Sequence, residues 1–102
     1  MFELEVMTDG WSSETSWELL NSDGEVIQSV EEGELTDKFM HQYTFCLPAD
    51  CYDFTIFDGD GICCRSGNGY YKGNIYGRSE IFDGGKFFDQ ETKSFCGLDL
   101  CS

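Results

Sequence analysis

Phe2, Leu4 and Val6 alternate with Glu3, Glu5 and Met7, the period-two pattern of a strand with one face turned inward. The alternation recurs down the chain. Trp17 and Leu19 share one face of a strand over 16–20, and Val26 and Val30 share one face of a strand over 25–30. Between them Asn21-Ser22-Asp23-Gly24 has the residues of a hairpin turn, since Asn and Gly tolerate the positive φ such turns demand. Phe39, His41, Tyr43 and Phe45 alternate next, and Tyr52, Phe54 and Ile56 follow on 52–57. Further strands are predicted over 70–75, 80–82, 86–88 and 92–96, with glycine turns at 58–61, 66–69 and 83–85. Residues 8–13 read as a polar loop carrying Trp11, and 31–37 as an acidic, solvated connection. No long stretch keeps a helical period. Eight or nine short strands between regular turns predict an all-β fold, an antiparallel β-sandwich forming one domain over 1–102.

Composition adds what such a sandwich is filled with. Nine Phe, five Tyr and two Trp suit a modest core between two small sheets. The charge narrows the partners: 20 acidic against 6 basic residues give a formal −14. A surface of that sign repels nucleic acid and anionic membranes, whose binding rests on Lys and Arg. Solubility alone explains the acidity; so does convergence of some carboxylates on a divalent cation, and both readings stand. No apolar run approaches the ~20 residues of a membrane-spanning helix, so no membrane insertion is expected. No basic and apolar leader opens the chain, which fits a processed or excised module of a longer secreted polypeptide.

Six cysteines, Cys46, Cys51, Cys63, Cys64, Cys96 and Cys101, imply disulfide stapling in an oxidising compartment. The expected localisation is therefore secreted, extracellular or at the cell surface. Cys63 and Cys64 are adjacent, and a bond between neighbours is strained, so each is expected to reach a different partner. Cys46 and Cys51 are the natural candidates, leaving Cys96 to pair locally with Cys101; this is a preference among many connectivities. Structural zinc is the rival, though the chain offers one Cys-x4-Cys, one Cys-Cys and a single histidine, His41.

Asp58-Gly59-Asp60-Gly61 closes an aromatic strand and supplies closely spaced carboxylates with glycines for a sharp turn, chemistry suited to Ca2+. A plain β-turn explains the same four residues. A set of elements spread along nearly the whole chain is more specific. They are Asp9, Trp11, Glu14 and Trp17; Cys46-Leu47-Pro48; Cys51-Tyr52; the Asp-Gly-Asp-Gly turn; Cys63-Cys64; Gly67-Asn68-Gly69-Tyr70; and Gly84-Gly85-Lys86-Phe87. In this order they resemble a secreted, cysteine-rich β-module that recurs in multidomain extracellular proteins of marine bacteria and diatoms. The acidic turn is two residues shorter than that module's usual one, and Cys96 and Cys101 stand outside its four-cysteine core. The resemblance implies an accessory domain with a jelly-roll or CUB-like sandwich of about eight strands. By resemblance to calcium-binding sandwiches of the CUB type, Asp9, Glu14, Asp58 and Asp60 are the ligand candidates, with Asn68 a fifth. The alternative is that Asp9 and Glu14 only orient the 8–13 loop through hydrogen bonds.

No nucleophile and base pair up and no phosphate loop precedes a helix, so the chain is not expected to be an enzyme. An extracellular adhesion or accessory module is expected instead, binding a glycan or an extracellular protein surface. Trp11, Tyr70, Tyr71 and Tyr76 are its candidate contact residues, because aromatic faces beside acidic groups suit sugar rings. The other class is a structural repeat that joins copies of itself into a filament or tandem array through sheet edges.

Overall fold

The structure, a computed structural model, describes residues 1–59, 62, 67–75 and 80–96. Its strands are β1 (Phe2–Met7), β2 (Ser16–Leu20), β3 (Val26–Val30), β4 (Met40–Phe45), β5 (Cys51–Phe57), β6 (Tyr70–Ile75), β7 (Glu80–Gly84) and β8 (Gln90–Cys96). They form two four-stranded antiparallel sheets, ordered β4-β1-β6-β7 and β3-β2-β5-β8. The protein is an eight-stranded, disulfide-stapled β-sandwich. Among the described residues no helix is long and apolar enough to cross a membrane.

The inward positions named by the alternation make the core. Phe2, Leu4 and Val6 of β1, Trp17 and Leu19 of β2, and Tyr52, Phe54 and Ile56 of β5 are all buried. Rings interlock across the sandwich: Phe54 of one sheet stacks on Phe82 of the other at 5.3 Å, and Trp17 meets Tyr43 edge-on at 5.1 Å. Each such ring removed from water stabilises the fold by about 1.5–3 kcal/mol, so the two sheets hold by their facing aromatics.

Three expectations fail, each for a local reason. The pairing of β2 with β3 shifts register between Leu19 and Leu20, so Leu19 faces Gln28 while Leu20 faces Val26. That bulge turns Val26 and Ile27 outward, and of β3 only Val30 is buried. Residues 86–88 do not form a strand; Asp83 and Gly84 extend β7 instead of turning, and 85–89 is the connection to β8. The cysteine pairing also differs. Cys51 bonds to Cys96, not to the vicinal pair, and Cys96 is therefore not free for Cys101. The cause is the β5–β8 register, which sets Cys51 directly opposite Cys96 with their Cα atoms 4.0 Å apart. Cys46 is also disulfide-bonded. Its partner, like Cys63, Cys64 and Cys101, lies outside the described residues.

Candidate functional site

Strand direction gathers four connections at one end of the sandwich. Residues 8–15 join β1 to β2, 31–39 join β3 to β4, 58–69 join β5 to β6, and 85–89 join β7 to β8. All four pass from one sheet to the other, and the two sheet orders set them side by side across this end. Of the described connections, the 21–25 hairpin and 46–50 lie at the opposite end.

The loop end is built by short polar side chains reaching backbone atoms of neighbouring loops. Thr8, buried, donates its hydroxyl to the Thr36 carbonyl at 2.5 Å and accepts the Phe39 amide at 3.0 Å. The Lys38 amide donates to the Asp9 carbonyl at 2.9 Å, with Lys38 itself in the left-handed region at φ 48°. Ser12 opens a single 3₁₀ turn (Ser12–Glu14); its hydroxyl donates to the Leu35 carbonyl at 2.8 Å and to the Asp37 carboxylate. The Ser12 amide donates to the same Asp37 oxygen at 2.9 Å. These bonds hold the Asp37 carboxyl below its ordinary value, the Ser12 hydroxyl contributing most. The acidic residues of 31–37 are exposed, as expected of a solvated connection, while Leu35 is buried in the core and anchors the segment.

Several of the candidate ligands meet here. Asp9 is buried and accepts the Trp11 amide on Oδ1 at 2.9 Å, the Asx-type bond that was the alternative to metal ligation. Asp58 is buried at the end of β5 and accepts the Thr15 hydroxyl on Oδ2 at 2.5 Å. Glu14 lies over the acidic turn, its Oε2 3.6 Å from where a Cβ at Gly59 would sit. Gly67 packs against Asp9, where a Cβ would come within 3.3 Å of the Asp9 Cα, and places the exposed Asn68 next in line. Gly69 permits a close approach, since any Cβ there would collide with the carbonyl oxygens of Ile62 and Met7. Asp9, Glu14, Asp58 and Asn68 therefore come to one end, while Asp60 lies outside the described residues. Among the described residues no three His, Cys, Asp or Glu side chains form a group able to hold a metal ion. Carboxylates and an amide are the donor types calcium takes, but Asp9, Glu14 and Asp58 share this end of the sandwich without forming such a group.

The aromatic candidates separate. Trp11 is 60 % exposed on its loop, free to face a partner. Tyr70 is half-buried beside a shallow cavity of about 290 Å³ on the outer face of β6 and β7, with the Lys72 ammonium 5.4 Å from its ring centroid. Tyr71, expected as a contact residue, sits on the inward face of β6 by strand alternation and is fully buried against Phe54 and Phe82. Its hydroxyl donates to Glu91 of the facing sheet, passing Gly84, where a Cβ would stand 2.5 Å from that hydroxyl. Burial, then the Glu91 carboxylate, pushes the Tyr71 phenol far above its ordinary value. Tyr76 lies outside the described residues. Trp11 also has company that periodicity did not single out as exposed: Phe39 and Phe88 on two other loops of this end are 54 % and 84 % exposed.

In comparisons with known proteins, no family model, no curated protein and no solved structure matches the chain.

Proposed function

We propose that this chain is a non-catalytic extracellular accessory or adhesion module, stabilised by calcium and binding glycans or surface partners through its loop end. One observation carries the reading: the sheet-to-sheet loops bring two buried carboxylates, Asp9 and Asp58, to the end of the sandwich that also carries the exposed Trp11, whose amide Asp9 accepts. Each already accepts a hydrogen bond, Asp9 from the Trp11 amide and Asp58 from the Thr15 hydroxyl, and a divalent cation shared with Glu14, Asp60 and Asn68 would add to these partners. An aromatic face held beside such an ion is a platform for a sugar ring or an apolar side chain. The module resembled by the chain's motifs is of the same secreted, accessory kind. The test is a calcium titration of thermal stability together with a glycan array. Calcium should raise the melting temperature, Asp60→Ala should abolish the rise, and array binding should vanish with Trp11→Ser or chelator. An unchanged melt and an empty array would refute the reading.

A second reading, a subunit joining copies of itself through β-edges, is favoured by the exposed Val26 and Ile27 on edge strand β3. It requires concentration-dependent assembly in sedimentation that Val26→Lys abolishes.

A further inference from the structure

Among the described residues, the large aromatic side chains that are exposed, Trp11, Phe39 and Phe88, all stand at the loop end, and their surroundings are acidic. Trp11, Phe39 and Phe88 come from three different connections there. Toward the same end, where β2 and β3 meet the 31–39 segment, opens a groove of about 430 Å³. Trp17, Val30 and Phe57 contribute to its walls, and Glu18, Glu31 and Glu32 stand around it with no lysine or arginine among the lining residues. Connections 8–15, 31–39 and 85–89 together carry seven carboxylates against two lysines, and Asp58 adds another. One calcium ion would leave this end negative. Glu31 and Glu32 are not among the ligand candidates for that ion, and both are exposed at the groove mouth. A neutral sugar makes no use of this excess charge, and an anionic glycan or lipid surface is repelled by it.

We propose that the loop end docks a basic polypeptide segment, with an Arg or Lys side chain entering the Glu18–Glu31–Glu32 groove and an apolar side chain against Trp11. Charge complementarity selects the occupant: carboxylates around a partly apolar groove suit a guanidinium or ammonium on an aliphatic stem, and an exposed indole takes a cation or apolar group on its face. The inference rests on reading the loop end as the binding end and names its partner.

The experiment uses the oxidised chain and a synthetic peptide, Arg-Ala-Arg-Ala-Leu-Ala-Arg-Ala-Arg, titrated calorimetrically at ~0.15 M salt. Binding should weaken about tenfold when the peptide's Arg are replaced by Gln, and about tenfold again for Glu31→Gln/Glu32→Gln. Trp11→Ser should weaken it independently. The control is Asp23→Asn/Glu25→Gln in the opposite-end hairpin, which changes net charge equally and should leave affinity within about twofold. Equal losses from both double variants would show only a diffuse negative field and overturn the proposal, as would no binding at ~1 mM peptide. Glycan binding that needs Trp11 but ignores Glu31 and Glu32 would overturn it too, while leaving the module reading intact.

Discussion

Tyr71 joins the two sheets through one hydroxyl, and that bond can be weighed. A hydrogen bond to an ionised carboxylate contributes about 1.5–3 kcal/mol, so Tyr71→Phe should lose about that much in urea unfolding at pH 7. The pH dependence follows from the same contact. Tyr71's folded pKa is raised above its ordinary 10.0, so its contribution is fully present below pH 10. Above that pH the unfolded chain can shed the phenol proton and the folded chain cannot, and stability falls. The alkaline decline of the parent protein should therefore be steeper than that of Tyr71→Phe; parallel curves would show that the hydroxyl is not held as described. Asp37 behaves with the opposite sign. Its folded pKa lies below the ordinary 3.8, so its contribution is present above that pH and lost as acid protonates it. Ser12→Ala removes the leading cause and should flatten the acid limb below about pH 4 in the same unfolding measurement.

At the level of elements, the cross-strand disulfide is the feature most open to direct proof. Cys51 and Cys96 close a loop across 45 positions, which in the chain-entropy model stabilises by about 4 kcal/mol. Peptide mapping without reduction should recover Cys51 linked to Cys96, and Cys51→Ser/Cys96→Ser should lose roughly that stability. A linkage of Cys51 to Cys63 or Cys64 instead would mean the β5–β8 register is wrong. This pairing was hidden in the sequence because it depends on which strands become neighbours, whereas proximity along the chain suggested Cys96 with Cys101. Strand identity was easier: the alternation at Phe2, Leu4 and Val6 or at Tyr52, Phe54 and Ile56 reports directly which face meets the core. A bulge carries no such signal, so Val26 was assigned to the wrong face. Leu35 was missed because its burial comes from hydrogen bonds that Thr8 and Ser12 make to the segment around it, while its neighbours are charged. The candidate site was legible as a set of residue types; its placement was not, since Asp9 and Asp58 come to the same end only through the topology of the sandwich.

On the scale of the whole molecule, a formal charge of −14 destabilises the compact state by self-repulsion, and two different cation effects can relieve it. Screening acts through ionic strength alone and is shared by every salt. Site binding acts through mass action, contributing about 2.7 kcal/mol when calcium stands at a hundred times its dissociation constant. For a domain of this size 1 kcal/mol shifts the melting temperature by about 4–8 °C, so a filled site should raise it by more than about 10 °C. Sodium chloride at the same ionic strength should give only a small rise, with magnesium close to it, because Mg2+ keeps its waters and tolerates a narrower geometry than Ca2+. Scanning calorimetry in the three salts, matched for ionic strength, separates the effects. Asp58→Asn should remove the calcium-specific part and leave the sodium response intact. Identical curves for calcium, magnesium and sodium would assign the acidic loop end to surface charge alone, and the buried carboxylates would then be held only by partners such as the Trp11 amide and the Thr15 hydroxyl.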